Sequence, residues 1–351
     1  MIYPDIINYS LITMQTIVKI SPQIKPAYYF PVDKQGFNIG PGLYKLGKDF
    51  GNGRDDAKLF QVDSAFERYR NNTLSARTEC VDKYICQENL AQNLVCHLNR
   101  FFLQRLTAEY PDYFVVHDNN DNAGLRLDCR LTGESLHFNH QTQLQDVDTA
   151  LDIPYQDAWD AWGSQLQEDL ALVHCDGKQN RTAALHLCAA NHWGAQQKLG
   201  QDFLDIHKPV PGFNQRYPSE HKLLDTLIHK GPFVRFAWGL ATDTRLNHHP
   251  DAPQGVDQDG WGGRQFLHDC PELYLRIERQ CLFGMPDINC ILFTIRTYFL
   301  DVAQLQLGQL ALLKSALTAM EGAAKHYKGL SDSYSAIMVW LNYLSEKGSA
   351  I

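Results

Sequence analysis

The residue best suited to chemistry is His207, which lies in the stretch Asp205 to Gly212 just before two prolines and a glycine. Prolines fix φ and remove backbone donors, so this stretch cannot continue a helix or lie in a central strand. After a helix-compatible run, 193–203, we predict a stiff loop that presents the imidazole as a ligand or a catalytic group. The alternative is a helix end with an ordinary surface or capping histidine.

Two carboxylates, Glu168 and Asp169, come at the end of a helix predicted over 154–170. Carboxylates there meet the unfavourable end of the helix macrodipole, whereas a structural carboxylate is better placed at a helix start. We therefore expect one of the two, with Glu168 the better candidate, to bind a ligand.

Three arginines, Arg276, Arg279 and Arg296, lie in strand-like runs. Arg276 and Arg279 are an odd number of residues apart, so in a regular strand they face opposite sides of the sheet. Arginine pairs bidentately with carboxylates, which suits an anionic ligand. The alternative is a cross-strand ion pair with Glu278 or another neighbour.

The elements that must position these residues follow from hydrophobic periodicity and turn residues. Helical spacing predicts a helical hairpin over 61–110 and helices over 302–320 and 331–345. Short apolar runs predict strands, two of which flank an Asp-Gly turn and form a hairpin. The predicted strands cover residues 113–117, 125–131, 135–139, 171–175, 182–189, 234–240, 273–283 and 290–299.

These elements predict an α+β fold, an antiparallel sheet with flanking helices. The absence of a Gly-rich phosphate loop argues against a Rossmann domain and a P-loop. We divide the chain into an irregular N-terminal wrapping segment (1–60), a central domain that includes the helical hairpin (61–300) and C-terminal helices (301–351).

Composition narrows the class of protein. The 351 residues are 44% hydrophobic and 21% charged, and the net charge of −8 argues against a general nucleic-acid binder. No apolar run is long enough to span a membrane, and the N-terminus lacks a secretory pattern. Nine cysteines without a CxxC pair favour reduced thiols over disulfides, a zinc site or an iron–sulfur cluster. We expect a cytoplasmic protein.

Other histidines are weaker candidates for a ligand. His174, His186 and His192 lie on or after the predicted hairpin, and we interpret them as hydrogen-bonded polar groups on half-buried strands. His248 and His249 lie in a polar loop over 247–263, where we expect exposure to solvent.

Five separated strings of residues are similar, in their order, to one known family. They are Gln167 to Leu170, Trp193 with Lys198 to Gly200, Ile206 to Gly212, Arg276 to Gln280 and Leu292 to Tyr298. The family is that of the haem-dependent oxidative N-demethylase catalytic (alpha) subunit, long described only as a domain of unknown function. The resemblance runs from about residue 42 to about residue 305 and is strongest over 165–300.

The resemblance implies a PAS-like sheet with a b-type haem that activates dioxygen and oxidatively removes a methyl group from a small, dimethylamine-like alkylamine. The products would be formaldehyde and the demethylated amine. Electrons would come from NAD(P)H through a separate reductase with a flavin and an iron–sulfur centre, because this chain carries neither motif. One departure bears on substrate identity: a proline usual in the family is absent between Cys188 and Trp193.

Within this resemblance, His207 is expected to be the axial ligand of the haem iron, since a neutral imidazole is the commonest such ligand. Arg276, Arg279 and Arg296 are expected to meet the haem propionates or to anchor the sheet.

The same resemblance implies a place for the amine. Glu168 is expected to orient the protonated amine, with Trp238 or Tyr298 supplying an aromatic face. Gln280 and Thr297 are candidates for hydrogen bonds near a bound dioxygen.

Two other functions stay open on the sequence. PAS-type sheets commonly serve in sensing, so a haem or small-molecule sensor without turnover is the main alternative. A structural subunit that has lost its cofactor is a weaker one, because His207 is present. The lack of an output domain and the presence of Glu168 favour the enzyme.

Overall fold

The fold is described by a computed structural model for residues 17–33, 40, 42–52, 56–119, 124–177, 179–216 and 219–348. Within these ranges the chain forms two antiparallel sheets and a set of helices, which confirms the predicted α+β class. None of the described helices is both long and apolar enough to cross a membrane. The predicted segments 1–60 and 301–351 lie partly outside the described residues.

Strands and helices are numbered in chain order. The strands are β1 (Tyr44–Lys45), β2 (Ile85–Gln87), β3 (Phe114–Asn119), β4 (Gly124–Cys129), β5 (Glu134–Phe138), β6 (Leu144–Asp148), β7 (Asp169–Asp176), β8 (Gln179–His186), β9 (Phe233–Ala241), β10 (Tyr274–Met285) and β11 (Cys290–Asp301). The α-helices are α1 (Phe66–Tyr84), α2 (Gln92–Glu109), α3 (Ala158–Ser164), α4 (Phe203–His207), α5 (Phe213–Arg216), α6 (His221–Lys230), α7 (Gln258–Trp261), α8 (Leu307–Ala319), α9 (Gly322–Tyr327) and α10 (Tyr334–Gly348). Single 3₁₀ turns cover Pro286–Ile288 and Val302–Gln304.

The larger sheet has the strand order β1-β9-β10-β11-β7-β8-β2. Its centre is the β10–β11 pair, which runs in register from Tyr274 opposite Asp301 to Met285 opposite Cys290. β1 pairs only with the first two residues of β9, so the outer edge of β9 beyond Val234 has no described strand beside it. The central strands of the sheet are therefore paired on both sides, whereas part of the β9 edge has no described neighbouring strand.

The smaller sheet, β3-β4-β5-β6, is joined to the larger one by a shared hydrophobic core. Trp162 of α3 stacks between Phe102 of α2, with ring centroids 5.1 Å apart, and Phe138 of β5, at 5.5 Å. Its indole N–H donates to Asn99 at 2.8 Å. Leu292 of β11 belongs to the same core, so this cluster connects helices and both sheets.

One face of the β10–β11 pair carries two buried arginines that face each other across the pair, Arg279 and Arg296. Arg296 donates to Asp63 at 2.8 Å, and its guanidinium lies 3.6 Å from the centroid of the Tyr69 ring. Arg279 donates to backbone carbonyls of the segment 56–63, the shortest bond being 2.8 Å. These contacts bind that segment across this face of the sheet.

The helix predicted over 154–170 is too long. It ends at Ser164, and β7 begins at Asp169. The reason is tertiary: Gln167 accepts from the N–H of Asp63 at 2.9 Å, and Glu168 accepts from the N–H of Gln61 at 2.7 Å. Glu168 and Asp169 are therefore not at a helix end, and the macrodipole argument for a ligand role does not hold.

The surroundings of His207 also differ from the prediction. Residues 193–202 form turns and irregular backbone, and the short helix α4 begins at Phe203, so His207 is the last residue of a helix and the prolines come just after. The predicted helical hairpin is confirmed as α1 and α2, and the predicted hairpin around Asp-Gly is confirmed as β7 and β8. The polar strand β6 and the short helix α9 were not predicted.

We predict that Asp63→Asn destabilises the fold strongly. The substitution keeps the shape of the side chain but leaves the Arg296 guanidinium, which is fully buried, without its countercharge. Removing one partner of a buried ion pair costs about 3–5 kcal/mol, measured as the change in free energy of unfolding in urea. Asp225→Asn is the control, because its ion pair with His229 is exposed and should contribute little. Equal, small effects of the two substitutions would show that the buried pair does not hold the sheet and the segment 56–63 together.

Candidate functional site

A cavity of about 1160 Å³ lies on the face of the larger sheet opposite Arg279 and Arg296. Its floor consists of residues two apart along the strands, because alternate side chains point to the same side. The floor residues are Ala171, Val173, Arg276, Glu278, Gln280, Leu282, Ile291, Phe293 and Ile295. The volume exceeds the roughly 300–1,000 Å³ of most small-molecule sites, so a large ligand can be held here.

The walls of the cavity come mainly from the chain between β8 and β9. Helix α6 packs Leu224, Leu227 and Ile228 against the sheet and forms an apolar wall. Elsewhere the wall is formed by Arg264, by residues 327–328 and, beside β9, by residues 28–33. The site is thus apolar on one side and charged on another.

His207 lies in the cavity wall in a fixed orientation. Its Nδ1 is 2.7 Å from the carbonyl oxygen of Phe203, which can only accept, so Nδ1 carries the hydrogen and the lone pair is on Nε2. The ring stacks on Phe213, with centroids 4.3 Å apart and planes 12° apart. Burial lowers the pKa of His207 to about 4, so the imidazole is neutral near pH 7. A neutral imidazole oriented by a hydrogen bond at its other nitrogen is the form that ligates metals.

Glu278 is the carboxylate on the cavity floor. Asn191 donates to its Oε1 at 2.8 Å, and Gln280 donates to its Oε2 at 2.9 Å. Its nearest guanidinium nitrogen, Nε of Arg276, is 4.0 Å away. Two side-chain amides therefore hold the carboxylate in place. Its ion pair with Arg276 is long and leaves most of its negative charge uncompensated.

Arg276 also lines the floor, but other groups already occupy its two terminal nitrogens, and among the described residues only its buried Nε lacks a hydrogen-bond partner. It donates to the backbone carbonyls of Leu246 at 2.9 Å and Ala189 at 2.7 Å. It also donates to Nδ1 of His248 at 3.1 Å, and Nε2 of that ring lies 2.9 Å from Asp243. The guanidinium thus fastens two connecting segments to the sheet.

The predicted exposure of His248 and His249 is wrong, since both are buried. The start of the loop, 247–249, is buried because Arg276 and Asp243 bind His248, and the indole N–H of Trp261 donates to the carbonyl of His249 at 2.8 Å, whereas residues 254–260 are exposed as predicted. The polar residues at the start of this loop are therefore buried because they form hydrogen bonds.

Several cations line the cavity. Lys328 donates to the carbonyl of Trp238 at 2.8 Å. Burial lowers the pKa of Lys328 to about 8, an effect that Glu278 opposes and that Arg235 and Arg264 reinforce. The lining cations are Lys198, Arg235, Arg264, Arg276 and Lys328, against the carboxylates Asp33 and Glu278 among the described residues. The cavity is therefore suited to an anionic ligand.

Glu168 lies away from the cavity, in the interior beside the segment 56–63. Its Oε1 accepts from Gln61, and within the described residues its buried Oε2 has no hydrogen-bond partner. Burial raises the pKa of Glu168 to about 7. The neighbouring Asp169 accepts from the backbone N–H of Cys188 at 2.7 Å, and burial raises its pKa to about 7 as well.

Tyr298 and the two arginines Arg279 and Arg296 also face away from the cavity. The Tyr298 hydroxyl donates to Gln61, on the covered face of the sheet. Trp238 borders the cavity, but it stands opposite Ile277 in the sheet and its side chain packs on that residue's core cluster. Thr297 is buried and does not line the cavity.

The three remaining histidines have separate surroundings. His192 lines the cavity, with its ring stacked on His248 at 5.8 Å, and burial lowers its pKa to about 2. His186 is buried 3.4 Å from the Ser164 hydroxyl, away from the cavity. His174 lies partly exposed near the end of β7.

The structure thus brings together His207, Arg276, Gln280 and the border residue Trp238. Glu168, Arg279, Arg296 and Tyr298 form a separate group on the other face. Sequence reasoning missed Asn191, Arg235, Arg264 and Lys328 and treated Glu278 only as an ion-pair partner. The one available signal was the spacing of 276, 278 and 280, which puts Glu278 beside Arg276 and Gln280 on one face.

We predict that stability falls between about pH 4 and pH 7 partly because of Glu168. Its carboxyl has a pKa of about 7 in the fold and about 4.3 when unfolded, so the folded state holds the proton more tightly. This contribution is complete below the unfolded pKa and is lost as pH rises through 7, by at most about 4 kcal/mol.

Urea unfolding of Glu168→Gln at several pH values checks this. The variant should lose part of the fall in stability with rising pH, whereas Glu272→Gln, at an exposed position, should keep all of it. An unchanged pH profile for Glu168→Gln would show that this carboxyl is ionised in the fold.

Comparison with known families identifies one matching family. A family model described as "Haem-dependent oxidative N-demethylase, alpha subunit-like" matches residues 52–338. This span contains His207, Glu278 and every cavity-floor residue, and it confirms the resemblance found in the sequence. The chain belongs to the family of haem-dependent oxidative N-demethylase alpha subunits.

Proposed function

We propose that this chain removes a methyl group oxidatively from a small alkylamine, such as dimethylamine, with a b-type haem in the cavity, and releases formaldehyde. The observation that carries the proposal is His207: its Nδ1 is bound to a backbone carbonyl, which leaves the Nε2 lone pair for a metal in the wall of a cavity of about 1160 Å³. Family membership supports the same cofactor.

The residues around the cavity fit a haem. Helix α6 and the sheet would provide apolar surface for a macrocycle, and His207 would hold its iron. Lys198 and Arg235 line the cavity and are the cations whose charges act on His207, so we assign them to the propionates. Of the arginines predicted for that role, only Arg276 lines the cavity, and both of its terminal nitrogens are already engaged. When bound, the haem supplies dioxygen activation.

Glu278 is our candidate for the residue that holds the amine. It lies on the cavity floor with both oxygens oriented by side-chain amides, and an ammonium N–H can donate to either oxygen. Tyr327 lines the same cavity and offers an aromatic face to the cation. Glu168, predicted for this task, lies behind the sheet. Fixing the nitrogen directs the methyl group and lowers the entropic cost of the reaction.

The reaction balances only with an external electron donor. The C–N bond breaks, the nitrogen gains a hydrogen, and the methyl carbon leaves as formaldehyde with one oxygen atom of dioxygen. The second oxygen atom leaves as water after taking up two protons and two electrons. We assign those electrons to NAD(P)H and a partner reductase with a flavin and an iron–sulfur centre, and the family's description as an alpha subunit supports a partner.

Formaldehyde release by the haem-loaded chain, with dimethylamine and photoreduced flavin as donor, tests the function. We expect Glu278→Gln to raise KM for the amine at least about tenfold, because a charged hydrogen bond is lost. Glu168→Gln is the comparison and should leave KM within about twofold. A raised KM for Glu168→Gln alone would contradict our assignment of the amine site. Amine binding to haem-loaded protein without formaldehyde would indicate a sensor instead of an enzyme.

A further inference from the structure

One part of the cavity carries an excess of positive charge, which an alkylammonium ligand would increase. Arg264 and Lys328 line it, and of the carboxylates Asp33 and Glu278 only Glu278 acts on Lys328. The charges of Arg235 and Arg264 also act on that lysine. An alkylammonium ion bound to Glu278 would thus add a further cation beside resident ones, where like charges repel.

Arg264 is held in position but has no anionic partner among the described residues. Within the described part of the chain its guanidinium makes no hydrogen bond or ion pair, and its Nε is buried. Gly329 has a φ of +67°, and a Cβ there would collide with Cδ and Nε of Arg264. The backbone at this glycine therefore packs directly against the arginine and limits where its side chain can go. Burial lowers the pKa of Arg264 to about 10, as expected for a guanidinium that lacks a countercharge.

The other lining cations have partners or roles already. Arg276 donates to backbone carbonyls and to His248. Lys198 donates to the carbonyl of Ile206 at 2.9 Å and lies on the His207 side of the site. Arg235 also acts on His207 and is assigned with Lys198 to the propionates. Lys328 donates to the carbonyl of Trp238 at 2.8 Å and stands with Arg264 in the charge environment of Glu278. Arg264 is therefore the lining cation on which the inference rests.

We propose that the substrate carries a carboxylate as well as the methylated nitrogen, as an N-methyl amino acid does. The proposal rests on the proposed function and narrows its substrate class. The ammonium group pairs with Glu278, and the carboxylate pairs with Arg264 and Lys328. Such a zwitterion adds no net charge to the site and gives each resident group an opposite partner. The electron and proton balance of the demethylation is unchanged, with the demethylated amino acid and formaldehyde as products.

Calorimetric binding to the haem-loaded protein tests this without turnover. The probes are N-methylglycine, its amide, which lacks the carboxylate, and dimethylamine. In the wild type, N-methylglycine should bind at least about tenfold more tightly than the amide, because of charged hydrogen bonds to its carboxylate. Arg264→Gln should abolish this preference and bind dimethylamine equally well or better, since a repelling charge is gone. Arg100→Gln, at an exposed position, is the control and should keep the preference.

Three results would overturn the inference. The first is a wild type that binds the amide or dimethylamine as tightly as N-methylglycine. The second is an Arg264→Gln variant that weakens all three ligands equally. The third is loss of haem by that variant with an unchanged ligand preference, which would make Arg264 a propionate partner. A wild type that takes up no haem would refute the proposed function, and the same calorimetry on that protein would still measure the charge preference.

Discussion

The fold depends on the two buried arginines Arg279 and Arg296, whose charges the strands themselves cannot balance. The segment 56–63 balances them, through the Asp63 carboxylate and a row of backbone carbonyls. A buried guanidinium without such partners would be costly, so the segment is held firmly against one face of the sheet. That face is consequently covered, and the large cavity lies on the other face of β10 and β11.

The architecture of the site follows from this division. Because strand residues alternate between faces, Arg276, Glu278 and Gln280 reach the open face while their neighbours reach the covered one. The chain between β8 and β9 then closes the cavity with α6 and brings His207 into its wall. Strand β10 thus contributes to stability through the residues of its covered face and to binding through those of its open face. This explains why charged residues are so frequent in a buried strand.

Most helices and strands could be predicted from the sequence. The features that could not be predicted share one cause. Periodicity predicted the helical hairpin, the β7–β8 hairpin and the long strands, and residue parity correctly separated Arg276 from Arg279. Parity does not reveal which face is covered, because that depends on a segment over 200 residues away in the chain. The same dependence on distant partners ended the predicted helix before Glu168 and buried His248.

Ligation of the cofactor by His207, on the open face of the sheet, is the step on which the proposed chemistry rests. It can be tested by the optical spectrum of the protein after haem reconstitution, compared with that of His207→Ala. We expect a Soret band in the wild type that is shifted or lost in the variant and restored towards the wild-type position by added imidazole. Identical spectra for the two proteins would show that another residue holds the iron, and a wild type without any Soret band would contradict haem binding by this chain.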